Sequence, residues 1–119
     1  MQEFTLDLNE EIIEKIKKEA VGLVEDLLKD DLVEMVLYGS CARGDYTEDS
    51  DVDIALIVKS NRGDAQKYNG GLAAIATEFA MRYFAIVNFV CIPYDEFLEK
   101  KSWYSYFNNI EKEGVVLYG

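Results

Sequence analysis

Two short apolar segments, with a glycine turn and two aspartates between them, constrain the fold of this chain more than any other feature. Residues 33–38 and 52–58 are apolar and of strand length, Gly39 follows the first segment, and Asp51 and Asp53 lie at the start of the second. Successive side chains of a strand point to opposite faces, so the two aspartates share a face. Carboxylates that point the same way beside a glycine turn suit a divalent cation carrying a polyphosphate, because Mg²⁺ is commonly held by one or two carboxylates plus substrate phosphates.

The rest of the chain predicts alternating helices and strands. A capping-box pattern, Asp7-x-x-Glu10, precedes apolar positions that recur at helical spacing as far as Leu28. After it we expect a strand at 33–38, a short helix at Ser40–Arg43, a strand at 52–58, a loop at 61–64, a helix at 65–83, a strand at 84–92, and a mostly helical segment at 94–113 with a break near Ser102. The predicted fold class is α/β (α+β), with a small mixed β-sheet and flanking helices in a single domain of residues 1–119.

The charge balance and composition restrict the chemistry and the partners. The formal net charge is -11 at pH 7 and the chain has no histidine, which excludes Ser-His-Asp and Cys-His schemes and histidine metal ligands. An acidic surface does not attract a nucleic-acid backbone, whose binding depends on Lys and Arg, so we expect no nucleic-acid partner. No apolar run approaches the length of a membrane span, so we expect no membrane partner either. Two cysteines without zinc-type spacing predict reduced thiols in a cytoplasmic protein.

The motif pattern resembles the signature of the polymerase-beta-like nucleotidyltransferases. Gly39-Ser40 and Asp51-x-Asp53 enclose an Ala-Arg-Gly run, and the ending at 113–118 looks like that of the minimal nucleotidyltransferase (MNT) branch. The resemblance implies the nucleotidyltransferase fold, ATP as substrate and Mg²⁺ as cofactor. Backbone amides of a glycine turn and a guanidinium group suit phosphate oxygens. The implied metal ligands are Asp51 and Asp53, and the implied nucleotide-binding residues are Gly39, Ser40, Arg43 and Ser50.

Asn88 occupies a position at which the resemblance implies a carboxylate. In the family, a third carboxylate on a neighbouring strand joins the first two at the catalytic metal and helps to deprotonate the attacking hydroxyl. Aligning the third predicted strand on that pattern gives the catalytic positions Asp51, Asp53 and Asn88. Asparagine is nearly isosteric with aspartate but neutral, and it cannot act as a base. We therefore expect nucleotide binding to persist while transfer is slow or absent.

Four explanations of Asn88 stay open. They are a naturally weakened enzyme, an engineered inactivating substitution, a base supplied by the partner, and an alignment error of one or two residues that makes Asn88 an ordinary strand residue.

Three functions stay open, in decreasing order of preference. The first is Mg-dependent transfer of AMP from ATP to a hydroxyl; the resemblance implies a HEPN-type toxin as the acceptor, so that the chain would act as an antitoxin. The second is a non-catalytic module that binds a nucleotide and a partner. The third is transfer to a small hydroxylated molecule such as an aminoglycoside, which an acidic cleft would attract. A homo-oligomer also stays open, because so small a domain leaves its cleft open on one side.

Five aromatic residues have two interpretations each, and one cysteine lies close to one of them in the sequence. An aromatic cluster near the end of the chain consists of Trp103, Tyr104, Tyr106 and Phe107. We expect it to form core or dimer contacts, and a base-stacking platform is the alternative. Tyr38, just before the turn, either packs within the strand or forms the edge of a nucleotide pocket. Cys41 lies in the turn, where the family tolerates several small residues, so we expect no nucleophilic role for it.

Overall fold

The computed structural model describes residues 8–119. The helices are α1 (Glu10–Leu28), α2 (Ser40–Arg43), α3 (Arg62–Ala65), α4 (Asn69–Tyr83), α5 (Tyr94–Lys100) and α6 (Ser105–Glu113). The strands are β1 (Leu32–Tyr38), β2 (Val52–Val58), β3 (Val87–Pro93) and β4 (Val115–Tyr118). Short 3-10 turns at Lys29–Asp31 and Gln66–Tyr68 precede β1 and α4. None of the helices in this part of the chain combines the length and the hydropathy needed to cross a membrane.

Helix α1 begins at an asparagine cap. The side-chain oxygen of Asn9 accepts a hydrogen bond from the backbone N–H of Ile12 at 3.0 Å, which satisfies one of the amides left free at a helix start. The predicted cap at Asp7 lies outside the described residues. The buried face of α1 follows the predicted helical spacing and consists of Ile13, Ile16, Ala20, Val24 and Leu28.

The sheet is mixed and has the strand order β3-β2-β1-β4. β1 pairs with β2 and with β4 in antiparallel directions, whereas β3 runs parallel to β2. A parallel neighbour needs a crossover connection, and α3 and α4 form it between β2 and β3. The mixed α/β architecture predicted from the sequence is confirmed.

The two faces of the sheet are covered to different extents. On one face, Met35, Leu37, Ile54 and Leu56 pack in a core with α1 and α4. On the other, the second core consists of Val36, Ala55, Ile57, Ile92, Phe97, Phe107 and Ile110, the last three from α5 and α6. That core does not reach the end of the face at which β1 stops and β2 starts, where Asp53 is half-buried and Asn88 is exposed. The open end holds the candidate site.

Several element boundaries differ from the sequence prediction, and the predicted helix at 65–83 is divided into the end of α3, the 3-10 turn Gln66–Tyr68 and α4. The third strand begins at Val87 rather than at residue 84, because Phe84 takes a φ of 55° in the left-handed region and ends α4. Residues 61–64 are not a loop: the side chain of Asn61 accepts the N–H of Asp64 at 2.8 Å and starts α3. A fourth strand, β4, was not predicted.

The predicted break in the last helical segment is confirmed. α5 ends at Lys100 and α6 begins at Ser105, with Ser102 in the turn between them.

Candidate active site

Three strands bring the polar residues of the site into one row. Tyr38 on β1 lies directly opposite Asp53 on β2, and Asp53 is in register with Asn88 on β3. Directly paired residues point to the same face of a sheet, and Asp51 joins them because it lies two positions before Asp53. The structure thus places Asn88 beside the two aspartates, where the sequence alignment predicts it.

The Asn88 side chain bridges the two carboxylates. Its amide nitrogen Nδ2 donates to Asp51 Oδ2 and to Asp53 Oδ1, each at 3.1 Å. Ionised carboxylates only accept hydrogen bonds and repel each other, so an amide that donates to both holds them together without a cation. An aspartate in this position would instead add a third negative charge within hydrogen-bond distance of the other two.

Gly39 lets the turn after β1 pass close to Asp53. Its backbone has φ 76° and ψ -158°, a region essentially restricted to glycine. A Cβ atom added there would lie 2.8 Å from Asp53 Oδ2. Ser40 then starts α2, and the first amides of a helix have no acceptor within it. The turn at Gly39 therefore lies against the Asp53 carboxylate, and Ser40 follows it at the start of α2.

Arg43 is held by two carboxylates at the end of α2. Its Nε donates to Asp45 and its Nη1 to Glu113, both at 3.3 Å. These hydrogen bonds raise the pKa of Arg43 above its ordinary value, so the group is charged at all relevant pH. Exposed ion pairs of this kind are weak, so phosphate oxygens can compete for the guanidinium. The contact with Glu113 has no signal in the sequence, because 70 residues separate the partners.

Ser50 closes the turn that delivers Asp51. Its hydroxyl oxygen accepts the backbone N–H of Thr47 at 2.9 Å, and its own N–H donates to the Thr47 carbonyl at 3.1 Å. The hydroxyl predicted to bind nucleotide is thus engaged in shaping the loop before β2.

Cys41 remains a protonated thiol next to the site. Its sulfur donates to the Asp51 carbonyl at 3.5 Å. Burial raises the pKa of Cys41, the charges of Asp53 and Asp51 raise it further, and a hydrogen bond with Ser40 opposes them. A thiol with a raised pKa is a poor nucleophile at neutral pH, which supports the expectation that Cys41 has no nucleophilic role.

The aromatic cluster is divided between the core and the surface. Phe107 is 2% exposed and belongs to the second core, as predicted. Trp103, Tyr104 and Tyr106 are 67%, 43% and 37% exposed, so they are not core residues, although the rings of Tyr104 and Tyr106 contact Phe107. A dimer contact through these three residues stays a prediction.

The donor set at the site fits one hard divalent cation. Within residues 8–119 no group of three or more Asp, Glu, Cys or His side chains is arranged to hold a metal ion. Asp51 and Asp53 supply the two carboxylates with which Mg²⁺ is often bound when substrate phosphates complete its shell. A second cation would lack an anionic ligand, because Asn88 takes the third position.

Together, the fold and the site define a nucleotidyltransferase domain, and comparison with known proteins shows the same. The profile of the family described as "Nucleotidyltransferase domain" matches residues 13–116. The chain belongs to this family, as the sequence motifs predicted.

Similar proteins narrow the relationship. A Methanocaldococcus jannaschii protein named "Putative protein adenylyltransferase MJ0604" is 33% identical over 88% of this chain and 97% of its own length. A second protein of the same organism, with the same descriptive name, is 36% identical over 66% of this chain and 73% of its own length.

Two solved structures share the fold at 18% identity. A chain of the MntA–HpeT toxin–antitoxin structure matches with a TM-score of 0.59 over 87% of this chain and 73% of its own. A chain from the complex of tri-AMPylated Shewanella oneidensis HEPN toxin with MNT antitoxin matches with a TM-score of 0.54, over 89% and 71%.

Proposed function

We propose that residues 1–119 form one domain that binds Mg-ATP and transfers AMP to a hydroxyl group of a protein partner, with an activity that Asn88 limits. The observation that carries this proposal is the hydrogen-bonded cluster of Asp51, Asp53 and Asn88 beside the Gly39 turn. A pair of carboxylates next to a glycine turn at the start of a helix suits a nucleoside triphosphate with its cation.

Each part of the site has a distinct task in this proposal. Asp51 and Asp53 would hold Mg²⁺, which when bound supplies positive charge to the phosphates and to the developing charge on the leaving group. Gly39 and Ser40 present backbone amides to the triphosphate. Arg43 exchanges its surface carboxylates for a phosphate oxygen and adds a charge-assisted hydrogen bond.

The acceptor we propose is a HEPN-type toxin, which makes the protein an antitoxin. Support comes from the relatives named as protein adenylyltransferases and from the structural neighbour crystallised with an AMPylated HEPN toxin. The surface charge agrees with a protein acceptor, because a net charge of -11 disfavours RNA. The thiols Cys41 and Cys91 are both free, which suits the reducing cytoplasm that we propose as the location.

Asn88 favours a second candidate, a module that binds nucleotide and partner without transferring AMP. An amide cannot take a proton from the attacking hydroxyl, and a general base typically contributes roughly 10²–10⁴-fold to a rate. Binding through Asp51, Asp53 and the turn would be retained. The two candidates predict the same Mg-ATP affinity and different transfer rates.

Replacing Asn88 by aspartate tests the assignment. We expect wild type and Asn88→Asp to bind Mg-ATP in calorimetric titrations, and the variant to transfer labelled AMP to a HEPN-type partner roughly 10²-fold faster or more. Three carboxylates without a cation repel one another. The melting temperature of the variant should therefore fall in EDTA and rise with Mg²⁺ by more than that of the wild type.

Asn109→Asp is the matched control, because it makes the same change of charge at an exposed position on α6. It should alter neither the transfer rate nor the response to Mg²⁺. Transfer by neither protein, with Mg-ATP bound by both, would favour the binding module. Wild-type transfer as fast as that of Asn88→Asp would show that Asn88 does not replace the base.

A further inference from the structure

A continuous set of aromatic side chains leads from the carboxylates to the surface. We call Tyr38, Tyr106, Tyr104 and Trp103 the aromatic ladder. The Tyr38 and Tyr106 hydroxyls hydrogen-bond at 2.7 Å, and their rings meet edge to face with centroids 5.8 Å apart. Tyr106 to Tyr104 and Tyr104 to Trp103 follow at 6.1 Å and 6.2 Å.

The inner end of the ladder is anchored beside the site. Tyr38 lies opposite Asp53 in the sheet and packs against the second core. The shared hydroxyl contact fixes Tyr106 relative to Asp53.

Three rings of the ladder stay partly exposed, although Tyr104 and Tyr106 also contact the buried Phe107 with ring centroids 4.8 Å and 5.8 Å away. Trp103, Tyr104 and Tyr106 keep between 37% and 67% of their surface accessible, although Phe107 in the same segment is buried. Rings exposed next to a polar site supply flat apolar surface with hydroxyl and indole donors at their edges. Such surface suits a planar, polar-edged ligand.

The order of the strands indicates which part of a bound nucleotide would lie next to the aromatic ladder. Tyr38 is followed directly by the Gly39-Ser40 turn, so ladder and phosphate donors lie on the β1 side of Asp53. Asn88 lies on the opposite side of Asp53, on β3, and in the proposed function its position is next to the attacking hydroxyl. A nucleoside attached to phosphates at the turn therefore meets aromatic rings, and the acceptor approaches from the β3 edge.

We propose that the aromatic ladder binds the base of the nucleoside triphosphate by stacking, with Tyr106 and Tyr104 as the main contacts. This proposal rests on the proposed function, because it needs triphosphate at the Gly39-Ser40 turn. Stacking does not depend on the pattern of base-edge donors and acceptors, so the ladder should favour purines with their larger rings over pyrimidines.

Two ligands separate base binding from phosphate binding. We would titrate Mg-ATP and Mg-tripolyphosphate into wild type, Tyr104→Ala and Tyr106→Ala. Stacking contributions correspond to roughly a tenfold loss of affinity per ring removed. Each variant should lose about that factor for Mg-ATP and keep the wild-type affinity for Mg-tripolyphosphate, which has no base. Phe84→Ala is the control, since Phe84 is an exposed aromatic (60%) at the end of α4, a helix that packs in the first core on the opposite face of the sheet.

The wild-type protein provides a second readout that needs no folded variant. Trp103 is the sole tryptophan of the sequence, so fluorescence excited at a wavelength too long for tyrosine reports on Trp103 alone. Mg-ATP should change this emission and Mg-tripolyphosphate should not.

The outcomes separate the two proposals. Equal Mg-ATP affinity in wild type, Tyr104→Ala and Tyr106→Ala, with unchanged Trp103 emission, would overturn the base site while the phosphate site stands. Loss of HEPN-partner binding at unchanged ATP affinity would make the ladder a protein contact and also overturn it. Failure of wild type to bind either ligand would remove the phosphate site, and the base site with it.

Discussion

Gly39 is the residue at which backbone geometry and site chemistry depend on each other most directly. Its φ of 76° with ψ -158° is open to glycine, and a Cβ would press on the Asp53 carboxylate at 2.8 Å. We predict that Gly39→Ala lowers the free energy of unfolding by about 1–3 kcal/mol, the usual cost of such a conformation. Displacement of Asp53 should also weaken Mg-ATP binding. Urea denaturation and calorimetry measure the two effects.

Gly22→Ala provides the control for Gly39→Ala. Gly22 lies inside α1 with no atom within 4 Å of an added Cβ, so alanine should raise stability by roughly 0.5–1 kcal/mol and leave nucleotide binding unchanged. Gly39→Ala with wild-type stability and Mg-ATP affinity would contradict the close approach of the turn to Asp53.

The residues of the site could be predicted to different degrees. Asp51 and Asp53 share a face because strands alternate, and Asn88 follows once a third strand is placed beside them. The hydrogen bond from Arg43 to Glu113 could not be predicted, since neither residue type nor spacing indicates a contact between residues 70 positions apart. The exposure of Tyr104 and Tyr106 could not be predicted from the sequence either, because an aromatic cluster has the same composition in a core and in a binding surface.

At the scale of the elements, the carboxylate of Asp31 joins the two 3-10 turns to the residues that follow β2. Asp31 accepts hydrogen bonds from the backbone N–H and the hydroxyl of Ser60, the former at 2.8 Å, and from the Tyr68 hydroxyl at 2.6 Å. Burial alone would raise the pKa of Asp31, but these hydrogen bonds, with one from Lys59, lower it below its ordinary value. Burial and Asp31 also raise the pKa of Tyr68 to about 12, so Tyr68 stays a donor at neutral pH.

This arrangement predicts a pH-dependent stability. Because the pKa of Asp31 is lower in the folded state, its stabilisation is present above the unfolded value of about 4 and is lost as the pH falls through the folded pKa. Asp31→Asn should cost about 1–3 kcal/mol at pH 7, and its deficit relative to wild type should shrink below pH 4 or so. Urea unfolding of wild type and Asp31→Asn at several pH values measures this difference in the free energy of unfolding. A deficit of the same size for Asp30→Asn, the exposed neighbour, would contradict the assignment.

Length decides which elements the sequence could predict. α1 and the strands β1 and β2 carry clear periodicity over several residues, and the sequence located them. β4 has four residues, Val115–Tyr118, too few for a pattern, and its pairing partner β1 is distant in the chain. The start of β3 was missed because the left-handed Phe84 is not glycine, so the sequence gives no sign of the turn there.

At the scale of the whole molecule, the distribution of charge sets the class of partner. All three arginines form ion pairs with carboxylates. Arg43 pairs with Asp45 and Glu113. Arg62 pairs with Glu96, and Arg82 pairs with Glu19 and Glu78. Each arginine thus has at least one carboxylate beside it and forms no cationic patch within residues 8–119, and the net charge of the chain is -11. Under the proposed function, the open end of the sheet would present Asp51 and Asp53 to the acceptor, which would favour a partner surface with basic residues around its hydroxyl.

This charge distribution predicts that the isolated protein does not bind RNA. Association with a polyanion is driven by counterions that lysines and arginines release from phosphates, and paired arginines on an acidic surface release few. Fluorescence anisotropy of a labelled single-stranded RNA should therefore show no binding at physiological salt. Lowering the ionic strength should not produce it, because reduced screening strengthens repulsion between like charges as well as attraction. A sub-micromolar association that weakens as salt is added would contradict the prediction and would require a cationic surface made from the lysines, since each arginine lies beside at least one carboxylate.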